Sequence, residues 1–122
     1  MKVLVCGSRH FNQLSMMVEE LKKYFVGPGD TLIHGCAKGA DMLSEAAIMI
    51  LFSSLGTMPS IKRYPADWDK HGKAAGPIRN KQMLEEGKPD LVIAFMAKDS
   101  RGTKNMVDQA TKAGVEVKVI DI

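Results

Sequence analysis

Gly7-Ser8-Arg9 joins a glycine, a hydroxyl and a guanidinium in consecutive positions. Glycine lets a backbone approach a ligand closely, and the planar fork of Arg9 matches a phosphate. The same residues also suit a tight strand exit with a solvated arginine. His34-Gly35-Cys36-Ala37-Lys38-Gly39-Ala40-Asp41 sets two glycines before a helix start. A helix N-terminus offers free N–H groups and the positive end of a dipole, which together cradle phosphate. No Gly-Lys-Ser/Thr follows, so this is not a P-loop, and the spacing is not the GxGxxG of dinucleotide sites. Asp41 stands either to cap that helix or to meet a ligand. His34 reads as packed into a strand end.

Trp68 is the one tryptophan, within the polar stretch Tyr64-Pro65-Ala66-Asp67-Trp68-Asp69-Lys70-His71-Gly72-Lys73. An indole there can stack on a base or fold the loop back onto the core. His71 reads as a solvated loop residue. Ala74-Ala75-Gly76-Pro77-Ile78-Arg79-Asn80 opens a helix, with Pro77 tolerated in its first turn. Arg79 and Asn80 then lie near a positive helix end, where an anion is favoured. The alternative pairs Arg79 at the surface with Glu85 or Asp69. Met96-Ala97-Lys98-Asp99-Ser100-Arg101-Gly102-Thr103 again leads into a helix, with Thr103 placed to cap it.

Positioning these segments requires alternating strands and helices. Short apolar runs at 2–6, 31–34, 61–64, 91–95 and 115–120 read as strands. Helical spacing covers 14–25, 41–55, 74–86 and 103–113. Gly27-Pro28-Gly29 is expected to stop the first helix, and 65–72 to form a loop. The alternation predicts an α/β domain with a parallel sheet. Leu91-Val92-Ile93-Ala94-Phe95 is continuously apolar, as a central strand covered on both faces must be. Val115, Val117 and Val119 alternate with Glu116 and Lys118, as on a half-exposed edge. Ligands of such sheets bind beyond the carboxyl ends of the strands, at the switch point. The order 3-2-1-4-5 sets 7–9 opposite 102–103 across one crevice, with 35–41 beside them.

The chain has 122 residues, which is one domain over 1–122. At 45% hydrophobic and 25% charged it is an ordinary globular composition, neither disordered nor a disulfide scaffold. Cys6 and Cys36 form no CxxC pair and no metal-ligand cluster, so no metal site is expected. These residues neither require nor exclude magnesium carried on a nucleotide's phosphates. No secretory leader and no apolar stretch of membrane-spanning length is seen, so the expected location is cytoplasmic. The net charge of +3 is spread without a block of like charge, which does not point to nucleic acid. The helix over 41–55 is apolar nearly all round, so full burial is expected, with one face against a second subunit of a homo-oligomer.

Gly7-Ser8-Arg9, His34-Gly35-x-Ala37-x-Gly39-Ala40-Asp41, Tyr64-Pro65-Ala66-Asp67-Trp68, Gly72-Lys73-Ala74-Ala75-Gly76-Pro77-Ile78-Arg79-Asn80-x-x-Met83, Pro89-Asp90-Leu91-Val92-Ile93-Ala94-Phe95 and Gly102-Thr103 occur in this order. Together they resemble the YspA-like family of the SLOG superfamily, which also holds Smf/DprA and the Lonely Guy enzymes. The resemblance spans nearly the whole chain. It implies a Rossmann-like three-layer fold that binds a nucleotide or nucleotide-derived ligand, as a sensor or carrier. The implied ligand residues are Gly7, Ser8, Arg9, Gly35, Lys38, Gly39, Ala40, Asp41, Trp68, Arg79, Asn80, Arg101, Gly102 and Thr103.

Lonely Guy enzymes cleave the N-glycosidic bond of a nucleoside monophosphate, using an Arg-x-x-x-Met stretch and a glutamate after a Pro-Gly-Gly-x-Gly-Thr loop. Arg79 and Met83 are similar to the first motif, and Gly102-Thr103 to the end of the second. Lys98-Asp99-Ser100-Arg101 replaces the Pro-Gly-Gly, and the glutamate position falls on or beside Asn105. An amide supplies neither a general base nor a charge for an oxocarbenium ion. Lys98 and Arg101 add positive charge that suits phosphate. The expectation is therefore nucleotide binding. A phosphoribohydrolase is the alternative, with Arg79 as a catalytic residue and Asp41, or failing it Asp67, supplying the carboxylate. A DNA-binding module akin to Smf/DprA is a third reading, on fold analogy alone.

Overall fold

A computed structural model describes residues 1–98 and 100–122; Asp99, part of the loop before the last helix, lies outside the described residues. The elements run β1 (Lys2–Gly7), α1 (Leu14–Leu21), β2 (Thr31–His34), α2 (Ala40–Phe52), β3 (Ser60–Arg63) and α3 (Trp68–His71). A 3-10 turn (Gly72–Ala74), α4 (Ala75–Gln82), a π-helical turn (Met83–Gly87), β4 (Leu91–Met96), α5 (Arg101–Lys112) and β5 (Glu116–Asp121) follow. All five strands are parallel, in the order β3-β2-β1-β4-β5. This is the α/β parallel architecture that the alternation predicts, in the expected strand order, and it is consistent with a Rossmann-like fold.

Alternation along the strands builds two cores. Val3 and Val5 of β1, with Leu91, Ile93 and Phe95 of β4, face α1 and α2. Leu4, Cys6, Val92 and Ala94 face the opposite layer, where Met83 follows α4 and Met106 and Ala110 lie on α5. β1 and β4 are therefore buried on both sides, which is why their sequences are unbroken apolar runs. Phe11, just after β1, stacks on Phe95 with ring centroids 4.8 Å apart and closes the first core near the carboxyl end of the sheet. No helix among the described residues is long and apolar enough to cross a membrane.

Several local expectations are corrected. α1 stops at Leu21, ahead of Gly27-Pro28-Gly29, and the 22–25 turn still delivers Phe25 to the core. The 65–72 segment is not all loop. Asp67 accepts from the Lys70 N–H at 3.1 Å and caps the short helix α3. α5 begins at Arg101 with Ser100 as its N-cap, so Thr103 caps nothing. α2 is not fully buried in the single chain. Met42, Met49 and Ile50 are about half exposed on one side, while Ala47, Ile48 and Phe52 fill the core.

Candidate functional site

The strand order reverses between β1 and β4, and their carboxyl ends leave a crevice there. Gly7 pairs with Phe95 at the last register position, and the Ser8 N–H still donates to the Phe95 carbonyl at 3.0 Å. A Cβ on Gly7 would stand 2.7 Å from both the Ala40 Cβ and the Phe95 oxygen, so glycine is required for α2 to approach β1. The Ser8 hydroxyl accepts from the His10 N–H at 3.1 Å and keeps its own proton to donate.

A cavity of about 590 Å³ fills this crevice. Ten of the expected ligand residues border it: Gly7, Ser8, Arg9, Asp41, Trp68, Arg79, Asn80, Arg101, Gly102 and Thr103. His10, Lys73, Met83, Ser100 and Asn105 complete much of the wall, and no sequence pattern marks the first two as site residues. A smaller neighbouring cavity of about 150 Å³ shares Ala37, Trp68 and Arg79 with it and takes in Gly35. Trp68 stands 59% exposed at the border of the two, its ring edge above Gly76, and is not folded into the core.

Lys38, Gly39 and Ala40 do not border either cavity. The phosphate cradle expected at 35–41 is largely closed by its own hydrogen bonds. Asp41 is not the cap of α2, which is Gly39, and its carboxylate reaches back instead. It accepts from the N–H groups of Gly35 at 2.9 Å and Ala37 at 3.2 Å. The Cys36 N–H donates to His34 Nδ1 at 3.0 Å, and the Ala40 N–H to the Ser8 carbonyl at 3.2 Å. Burial pushes the Asp41 carboxyl up, against the lowering influence of the Ala37 N–H, the Arg79 charge and the Gly35 N–H. The helix starts that border the cavity are instead those of α4 and α5. Gly76 and Pro77 border it from α4, and 100–103 from α5. At α5 the first N–H groups have no side-chain cap among the described residues and can meet an anion, whereas at α4 the Ala75 N–H is bonded to the Gly72 carbonyl and Pro77 has no N–H.

Arg79 is not paired with Glu85 or Asp69. Its Nη1 donates to the Gly35 carbonyl at 2.5 Å and its Nε to Asn80 Oδ1 at 3.0 Å. Two of five guanidinium hydrogens are thereby fixed, and the other three have no partner among the described residues. Buried Asn80 passes the link on. Its Nδ2 donates to the Gly102 carbonyl at 3.2 Å and to Asn105 Oδ1 at 3.1 Å, tying α4 to the start of α5. Gln109 donates to the same Asn105 oxygen at 2.7 Å.

Beneath the 35–39 loop, fully buried His34 bonds Glu45 Oε1 through Nε2 at 2.8 Å, as its strand-end reading expects. Arg63 donates to the same oxygen at 2.7 Å. The sequence holds no local sign of this cluster, whose members sit on three elements. The Arg63 hydrogen bond, with His34 behind it, holds the Glu45 carboxyl down to about 2 against an ordinary value of 4.5. A depressed carboxylate contributes stability above about pH 4.5 that is lost as pH falls toward 2. Glu45→Gln is therefore expected to lower Tm near neutrality, with the gap to the unsubstituted protein closing on acidification. Melting curves across that range check this, and a gap independent of pH overturns it.

Neither cysteine is set up as a nucleophile. Cys6 borders the cavity, but burial foremost, then the Asp41 charge, pushes its thiol far up; Cys36 is raised for the same reasons. Both cysteines are free. Among the described residues no three His, Cys, Asp or Glu side chains gather as metal ligands.

No family model matches the chain, and no solved structure matches it. The Gene 61 protein of Mycobacterium phage D29 is 34% identical to it over 119 residues, covering 95% of this chain and 93% of the phage protein. At that identity over nearly the full length of both, the chain belongs to the family of this phage protein.

Proposed function

We propose that this chain is a YspA-like, SLOG-type domain that binds a nucleotide or nucleotide-derived ligand in the crevice between β1 and β4, as a cytoplasmic sensor or carrier. The observation that carries this reading is the charge on the cavity wall. Arg9, Lys73, Arg79 and Arg101 border it, against the single carboxylate of Asp41 among the described residues. Such a surface focuses its field on an anion. The start of α5 adds N–H donors, and the exposed Trp68 offers a face for a base.

Thermal shift with AMP, ADP, ATP and NAD tests the reading. At millimolar ligand, which is saturating for a micromolar site, a rise in Tm of several degrees is expected with at least one of them. No shift with any nucleoside phosphate or dinucleotide overturns it.

The hydrolase alternative is disfavoured by the site. Asp41 is buried and holds two loop N–H groups, Asp67 caps α3, and Asn105 carries no charge. AMP incubated with the protein is expected to release no adenine. A DNA-binding role rests on fold analogy alone, and the sequence holds no block of basic residues.

The half-exposed Met42, Met49 and Ile50 of α2 support homo-oligomerisation through that helix. Light scattering is expected to give a mass above 13.4 kDa, and a monomer at all concentrations overturns it.

A further inference from the structure

We propose that Asn105 is a specificity-determining hydrogen-bond donor of the site, whose amide NH2 recognises an acceptor oxygen or nitrogen of the ligand. This rests on the nucleotide reading above and adds to it the residue and the polarity of the contact.

The orientation of the Asn105 amide is set by two independent chains of donors. Backbone carbonyls only accept, and an arginine N–H only donates. Arg79 Nε donates to Asn80 Oδ1, so Asn80 Nδ2 is the end that faces the Gly102 carbonyl and Asn105. Gln109 Nε2 donates to the Pro77 carbonyl at 3.2 Å, so the same nitrogen is the one that meets Asn105 at 2.7 Å. Both chains arrive as N–H groups, and both end on Asn105 Oδ1. The oxygen is therefore the inner end of the amide, and Nδ2 is the outer end.

That outer NH2 has no hydrogen-bond partner among the described residues. Nor is it buried, since no buried side-chain nitrogen or oxygen lacks a partner. Asn105 borders the large cavity. The two free amide hydrogens thus open onto the space that the ligand occupies, one turn into α5 from Gly102 and Thr103. A carboxylate at this position could accept the same two internal bonds, but it would present an acceptor and a negative charge outward. The amide keeps the internal scaffold and reverses the outward polarity, from a group that could assist bond cleavage to one that binds oxygen.

Calorimetric titration of ADP into the full chain separates the outcomes. Asn105→Ala removes the donor, and affinity is expected to fall about tenfold, the scale of a hydrogen bond to a charged acceptor. Asn105→Asp keeps the acceptor for Asn80 and Gln109, so the scaffold stays in place while the donor is lost. Its affinity is expected to stay at least about tenfold below that of the unsubstituted protein in about 0.5 M salt, where charge repulsion is screened within a few ångströms. It is expected to recover on acidification, as the protonated acid regains a donor, relative to the unsubstituted protein at the same pH. Unchanged affinity in Asn105→Ala overturns the donor role alone. So does a loss in Asn105→Asp that disappears with salt, since charge then explains it. Failure of the unsubstituted protein to bind ADP overturns the nucleotide reading for this probe and the Asn105 assignment with it.

Discussion

Gly39→Ala is expected to lower Tm by more than about 10 °C, the result of a loss of about 3 kcal/mol in a domain of this size. Gly39 sits at φ +79°, a region that L side chains enter at a cost of about 1–2 kcal/mol. Space is the larger difficulty. A Cβ there would overlap the Ser8 carbonyl oxygen and stand 2.6 Å from the Arg9 carbonyl carbon and oxygen. These are backbone atoms and cannot swing away. The Ser8 carbonyl accepts from Phe11 and Ala40, and the Ser8 N–H is bonded to Phe95 at the end of β4. Relief would move the exit of β1 away from α2, and with it the wall of the cavity. Gly102→Ala is the control. Nothing among the described residues lies within 4 Å of its Cβ position, and the residue is within a helix, where alanine is favoured by up to about 1 kcal/mol. Calorimetric melting of the two variants checks the contrast, and equal Tm values overturn it.

Arg79→Ala is expected to weaken nucleotide binding about 100-fold or more, near 3 kcal/mol, on the scale of truncating a desolvated charged hydrogen-bonding partner. The half-buried guanidinium does two things at once. It holds the Gly35 carbonyl and orients Asn80, and it presents its remaining hydrogens to the two cavities that meet at it. Truncation removes a cation from the wall, releases the 35–39 loop and frees the Asn80 amide to turn. Arg79→Lys keeps the charge but cannot make the forked contact, so it is expected to recover only part of the loss. Exposed Arg101→Ala, on the same wall, is expected to cost only a few-fold, because its charge is screened. Titration of each variant with ADP tests the ranking. An Arg79→Ala affinity within about threefold of the unsubstituted protein overturns it, because less than 1 kcal/mol would then be at stake.

Much of this architecture is written in the order of residue types along the chain. The unbroken run Leu91-Val92-Ile93-Ala94-Phe95 could be stable only where both faces are covered, and β4 is internal to the sheet. The alternation at 115–120 belongs to an edge, and β5 is one. Once strand order is known, the crevice is known too, because it lies where the order reverses. That is why Gly7, Ser8, Arg9, Gly102 and Thr103 could be set on one cavity from their places in the sequence.

The partners of individual polar groups were decided at longer range. By sequence Asp41 could cap α2 or meet a ligand; Gly39 is the cap, and the Asp41 carboxylate folds back on Gly35 and Ala37 at the border of the cavity. The cradle expected at α2 is therefore largely closed, while the start of α5 borders the cavity. Asn80, Asn105 and Gln109 form one amide chain across two helices, and His34, Glu45 and Arg63 another cluster across three elements. Hydrophobic periodicity is a local signal, because burial repeats with the pitch of a helix or the pleat of a strand. A hydrogen bond depends on where two distant segments come to rest to within a few tenths of an ångström, and no pattern of residue types carries that distance.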